Sequence, residues 1–333
     1  MAQSRYNAQT IVSENFKGDD SEEFFAIGVD IGGTGIKAAI VNCRGDLLDN
    51  CHAPSPRTVS SVRDFVHSVK ERAKVPLRGI GVGCKGIIDA SSTRVKSSPG
   101  DLRFLEGESL SEVIDVGDLP VCAENDARVA LIGEVLWGSA RGRRNVVMLT
   151  LGMSVGGAAV VGGRLLRGHC GVAGHLGHVT VEPDGVPCVC GNRGCLETVF
   201  SARAIEGEAW SAVHRGCDST LTRLFREQPQ LATCRTIFQA ANEGDELSRI
   251  IIAKAVHRLG AALAGILHIF DPELVILGGQ VADAGDELLI PLQEEVWARS
   301  QGLLGRKVPL VEQQVADKSG IVGAAGLVMA PRI

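Results

Sequence analysis

Residues 24–50 read FFAIGVDIGGTGIKAAIVNCRGDLLDN. Two runs rich in β-formers, 25–31 and 36–41, flank the turn Gly32-Gly33-Thr34-Gly35, and a second turn, Cys43-Arg44-Gly45-Asp46, leads into a third run. Short β-rich runs separated by glycine turns predict an antiparallel meander. The glycine motif thus lies in a hairpin turn, not at a strand-to-helix junction. That excludes the P-loop and the dinucleotide-binding fingerprint, both of which open a helix after their glycines.

Outward from this hairpin, Val59, Val62, Phe65, Val66 and Val69 fall at helical spacing within 58–74. Strands are predicted at 78–82 and 120–123, with a helix from about 125 to 137. The pattern then restarts: a strand at 145–151, a turn at Gly152-Met153-Ser154, a strand at 156–161, and Gly162-Gly163 turning into a third run. A helical region follows over 201–270, then a strand at 274–277 ending in Gly278-Gly279, a helix at 286–299, a strand at 308–313 and a small-residue helix at 320–329. Strand, glycine turn, strand, turn, strand occurs twice, which predicts an α/β fold of two mixed-sheet lobes. No short-period repeat is present, which excludes solenoids and propellers.

The chain's 333 residues suit two lobes better than one. Its 34 basic and 39 acidic residues leave a net charge of -5, without the basic excess of a phosphate-backbone binder, so no nucleic-acid partner is expected. No run reaches the roughly 18 uninterrupted apolar residues of a membrane span, and no membrane partner is expected. Residues 1–23 are polar, lack the apolar core of a secretory signal and read as a flexible tail. Seven of the ten cysteines are scattered, which points to reduced thiols in a cytoplasm.

Three groups of residues carry chemistry. In Asp30-Ile-Gly32-Gly33-Thr34-Gly35-Ile36-Lys37, backbone N–H groups of the turn can converge on an anion, Asp30 can hold hydrated Mg²⁺, and Thr34 and Lys37 can reach phosphate oxygens. The alternative is a tight hairpin that merely needs glycine. Glu124-Asn125-Asp126-Ala127 opens a helix after a strand. Asn and Asp there serve as caps, or else place a carboxylate at a strand's carboxyl end as a general base for a hydroxyl. His178-x9-Cys188-x-Cys190-x4-Cys195 has the ligand types and spacing of a closed tetrahedral Zn²⁺ site, structural because four protein ligands leave no open position; the alternative is three buried thiols.

The combination of DIGGTGIK, ENDAR, AGHLGHVTVEPDG and CVCGNRGCLE resembles the ROK family of bacterial sugar kinases and sugar-responsive repressors, over about residues 24–330. The resemblance implies an actin/hexokinase-type fold, two ribonuclease-H-like lobes with a ligand cleft between them. A small lobe of 24–122 would be completed by 319–333, and a large lobe of 123–318 would carry a zinc loop at 175–197. It implies an ATP-dependent hexose kinase acting on the 6-hydroxyl of glucose or a related hexose, with N-acetylmannosamine, mannose or N-acetylglucosamine as alternative substrates. A weakly active sugar-binding protein is a further alternative; a repressor is disfavoured because no helix-turn-helix precedes the glycine hairpin.

The same resemblance implies roles by position. Asp30, Gly32, Gly33, Thr34 and Lys37 would serve the first phosphate site with Mg²⁺, Gly152, Gly156 and Gly157 the second, and Gly278 and Gly279 the adenosine side. Asp126 would be the catalytic base. Gly86, Asp101, Asn125, Asp126, His175, His178 and Glu197 would line the sugar site, and His178, Cys188, Cys190 and Cys195 would hold zinc. A homodimer is implied. Three positions depart from the family pattern: His175 replaces a sugar-contacting Glu, Ser98-Pro99-Gly100-Asp101 stands where Pro-Asn is usual, and Gly152-Met153-Ser154 stands where Gly-Thr-Gly is usual.

Overall fold

A computed structural model describes residues 23–98, 100–315 and 318–330. The expected polar tail therefore lies, apart from Glu23, outside the described residues. By contacts the chain divides into two compact units, one of residues up to 144 with 158–174 and from 313 onward, the other of 145–157 with 175–312.

The meander forms as expected: β1 (Phe25–Ile31), β2 (Gly35–Asn42) and β3 (Leu47–Pro54) are antiparallel, with Asp30 opposite Lys37. Then β4 (Leu77–Cys84) and β7 (Val121–Asn125) add in parallel, giving the order β3-β2-β1-β4-β7. A side hairpin, β5 (Ile87–Asp89) with β6 (Arg94–Ser97), was not legible as strands. The second sheet repeats the plan in the order β10-β9-β8-β11-β12, from β8 (Val146–Leu151), β9 (Val155–Val161), β10 (Arg164–Leu165), β11 (Leu274–Gly278) and β12 (Leu310–Glu312).

Strand alternation sets the two faces of the first sheet. Ile27, Val29, Ile31, Ile80, Val82 and Cys84 point to a core shared with Val62, Val66 and Val69 of the helix Val59–Arg72. The opposite face carries Ala26, Gly28, Gly79, Gly81 and Gly83. There the helix Ser319–Met329 lies so close that a Cβ on Gly28 would run into the Ile321 carbonyl and one on Gly81 into the Ala324 carbonyl. Period 2 places Asp30 on this glycine face, at the end of β1. The helix Asp126–Trp137 packs on the same helix through Gly133 and Gly323, so it belongs to the first unit, past the expected lobe boundary at 122/123.

In the second unit the expected helical region 201–270 is divided into the helices Ala202–His214, Thr222–Glu227, Cys234–Asn242 and Glu246–Phe270. The last is, among the described residues, the one helix long and apolar enough to cross a membrane. More than half of its most apolar window is buried, and it packs on the helix Asp286–Leu304 as a core helix.

Candidate active site and candidate metal centre

β1, β4 and β7 run parallel, so Asp30, Cys84 and Asn125-Asp126 emerge at one end of the same sheet. Burial, and then the Asp126 carboxylate, pushes the Asp30 carboxyl up to about 6, against the opposing pull of Lys37. Burial and the same two carboxylates push the Cys84 thiol well up. Asp30 also lies against the first turn of the helix Ser319–Met329: a Cβ on Gly320 would sit 2.6 Å from Asp30 Oδ2.

In the first glycine turn, Gly32 N–H donates to the Gly35 carbonyl at 2.9 Å. None of Gly32, Gly33 and Gly35 has a positive φ. Gly35 is crowded by the Ala53 carbonyl, but a Cβ on Gly33 would meet nothing within 4 Å. Backbone conformation and packing therefore do not demand glycine at 33; what glycine does there is leave the main chain open to approach. Thr34 and Lys37 are exposed beside it. The second turn is similar and falls where expected: it spans Gly152 to Ser154, with Gly152 N–H donating to the Ser154 carbonyl at 3.0 Å and the Gly152 Cβ position almost open. Gly156 and Gly157, which the resemblance assigns to the second phosphate site, lie within β9, as the strand reading of 156–161 expects; the strand begins one residue earlier, at Val155.

Asn125 is the N-cap of Asp126–Trp137, its Oδ1 accepting from Ala127 N–H at 3.1 Å and Arg128 N–H at 3.3 Å. Its amide Nδ2 donates to the Gly86 carbonyl at 3.0 Å and to Asp126 Oδ1 at 2.9 Å. Asp126 Oδ1 also accepts from Ala127 N–H at 2.9 Å. The capping role is therefore real for Asn125, and the amide holds its neighbour's carboxylate in place. Gly86, with φ +116, would drive a Cβ into the Ser97 carbonyl, so glycine is required there. Asp101 lies in the first turn of the short 3-10 helix Gly100–Leu105 and is exposed. Gly279, with φ +87, is tightly placed against Leu151, which accounts for that glycine structurally.

In the second unit, Glu197 begins a one-turn helix, and its Oε2 accepts from Val155 N–H at 3.1 Å, which ties it to the residue after the second glycine turn. His175 precedes the 3-10 turn Leu176–His178; its ring stacks parallel to that of His178 at 6.4 Å between centroids. The ligand atoms of His178, Cys188, Cys190 and Cys195 all lie within 4.8 Å of one another. Cys188 Sγ is 3.5 Å from His178 Nδ1, and Cys190 Sγ is 3.6 Å from Cys195 Sγ. Those match the edges of a tetrahedron with metal–ligand lengths of about 2.0–2.3 Å, so the residues fit Zn²⁺. The loop is built for it: Cys188 N–H donates to the Asn192 carbonyl, Gly191 turns with φ +91, and Gly194, with φ +63, packs on the Glu182 carbonyl. Burial, and then the neighbouring thiols, push the Cys195 thiol up to about 12, so it is a neutral thiol at neutral pH unless a cation binds there.

One feature escaped the sequence reading. Glu124 and Arg128 are both buried and paired at 2.9 Å, and Arg167 joins the same carboxylate at 2.7 Å. Glu124 ends in the strand and Arg128 lies in the first turn of the following helix, so the pair spans a strand-to-helix junction where helical spacing gives no signal.

The ROK family model matches residues 26–330, and the chain belongs to the ROK family. It is 35% identical over 313 residues to a glucokinase of Streptomyces coelicolor, covering 92% of this chain and 98% of that protein. It is 30% identical over 312 residues to an N-acetylmannosamine kinase of Escherichia coli O157:H7, covering 92% and 99%. A ROK glucokinase of Streptomyces griseus, solved in complex with glucose and AMPPNP, superposes with a TM-score of 0.78 at 32% identity, over 91% of this chain and 98% of that one. Similarity of this extent makes the chain an ATP-dependent sugar kinase with the two-lobed α/β fold of the family.

Proposed function

We propose that this chain transfers the γ-phosphoryl group of ATP to the 6-hydroxyl of glucose or a closely related hexose, with Asp126 as the general base. The observation that carries the reading is the pairing of Asp30 and Asp126 at the carboxyl ends of parallel strands, where ligands of α/β sheets bind. Asp126 is pinned through Oδ1 by the Asn125 amide and the Ala127 N–H, an arrangement suited to accepting a proton from a hydroxyl. The hydroxyl oxygen bonds to the γ-phosphorus as the bond to the ADP oxygen breaks, and the hydroxyl proton goes to Asp126.

Phosphoryl transfer depends on positioning and charge stabilisation. Mg²⁺, when bound with ATP, neutralises phosphate charge; Asp30 would hold its hydrated ion. Gly33 and Gly152 leave main chain open to phosphate oxygens, and Thr34 and Lys37 flank the first turn. On the sugar side we assign Gly86, Asp101, Asn125, His175, His178 and Glu197, and on the adenosine side Gly278 and Gly279. The set His178, Cys188, Cys190 and Cys195 would hold a structural Zn²⁺. A homodimer and a cytoplasmic location, the latter in keeping with ten unpaired cysteines, belong to the same reading.

N-acetylmannosamine or mannose is the second reading, favoured by His175: an imidazole donates as well as accepts, where a carboxylate only accepts. A coupled assay with Mg²⁺, ATP and these hexoses ranks the substrates. Asp126→Asn preserves size and capping but cannot take the proton; kcat should fall by about 10²–10⁴. Turnover near that of the unaltered enzyme would overturn the assignment of the base.

A further inference from the structure

Arg128, two residues after Asp126, is the largest fully buried side chain among the described residues, 1% exposed. Its Nη1 donates to Glu124 Oε1 at 2.9 Å, and its Nη2 donates to the carbonyls of Gly171 at 2.8 Å and Ala173 at 2.7 Å. Glu124, fully buried, also accepts from Asn125 N–H at 2.9 Å and from Arg167 Nε at 2.7 Å. One carboxylate thus receives two guanidinium groups and the backbone of the residue that pins Asp126.

The two arginines also bracket a segment without helix or strand. Gly168, Gly171 and Gly174 all have positive φ, so 168–174 is glycine-rich chain whose ordering costs more conformational entropy than usual. Arg167 holds its start, and the two carbonyl bonds from Arg128 hold its end, just before His175. A buried ion pair is a costly way to gain stability, since desolvation offsets most of its attraction. What this one supplies is geometry: a planar fork reaching a carboxylate and two carbonyls at once, which a lysine ammonium cannot reproduce.

We propose that Arg128 is a positioning residue for sugar phosphorylation: through Glu124 it fixes the Asn125-Asp126 turn, and through Gly171 and Ala173 it fixes the glycine segment that leads into His175. The inference rests on Asp126 as the base, and its test separates the two. Arg128→Lys keeps the charge and loses the fork. At least tenfold loss of kcat per folded molecule is expected, with the KM for ATP within twofold and the KM for sugar raised. Amide exchange over 168–174 should become at least tenfold faster, whether or not Asp126 proves to be the base.

Arg167→Lys, at a partly exposed side chain, should move the same readouts the same way by a few-fold; it serves if Arg128→Lys fails to fold. A purely structural pair predicts a different outcome: a lower Tm, with kcat, both KM values and exchange over 168–174 unchanged in the folded fraction. That outcome, in whichever variant folds, would overturn the proposal. An active wild type with an equally active Asp126→Asn variant would instead refute only the base.

Discussion

The role proposed for Asp30 comes at the expense of the fold. Its carboxyl rises from the ordinary 3.8 to about 6 on folding, so the folded state holds its proton more tightly than the unfolded chain. The penalty for ionising it is absent below about pH 4, grows between pH 4 and 6, and is full above; a shift of this size corresponds to roughly 3 kcal/mol as an upper bound. Asp30→Asn should therefore raise Tm at pH 7.5, lose that gain near pH 4, and abolish turnover. Thermal scans at both pH values with a coupled assay check this; equal Tm gains at both would contradict the burial argument. The Asp30 motif was legible because a carboxylate before a glycine turn is a short-range pattern. Its encounter with Asp126 was not, because the two are 96 positions apart in sequence and meet only through the order β1-β4-β7.

At the scale of elements, the loop that carries His178 and the three cysteines is the clearest case of sequence spacing becoming geometry. Protein purified without added metal should contain one zinc per chain by elemental analysis. Cys190→Ser should lose it, lowering both Tm and activity, because ligand binding is linked to folding of the loop; a normally folded enzyme with no zinc would refute the site. The helix Ser319–Met329 gives a second test. Gly320→Ala places a methyl 2.6 Å from Asp30 Oδ2, so the carboxylate must shift while the helix gains a better helix former. The expected result is a kcat reduced about tenfold or more with Tm unchanged or raised; an unchanged kcat would show that Asp30 has room to move. Element types were readable from periodicity and glycine placement. The side hairpin β5–β6 was missed because its strands are three and four residues long, too short for a period to show.

At the scale of the whole molecule, a kinase whose substrates bind the folded state should be stabilised by them. Glucose at about 100 times its Kd adds about 2.7 kcal/mol, a rise in Tm of several degrees, and Asp126→Asn should keep that shift while losing turnover. No shift with any hexose in the panel would refute a sugar site. The duplicated meander, the family motifs and the clustering of His178, Cys188, Cys190 and Cys195 were determined by the sequence itself, since each depends on neighbours within a few to about 20 residues. Tertiary structure alone decided the rest. It set Gly320 against Asp30, seated Gly28 and Gly81 under the carbonyls of a helix from the far end of the chain, and gave Glu124 both of its arginines. The physical reason is that such contacts come from close packing between segments distant in the chain, where one side chain's place depends on the shape of every element around it.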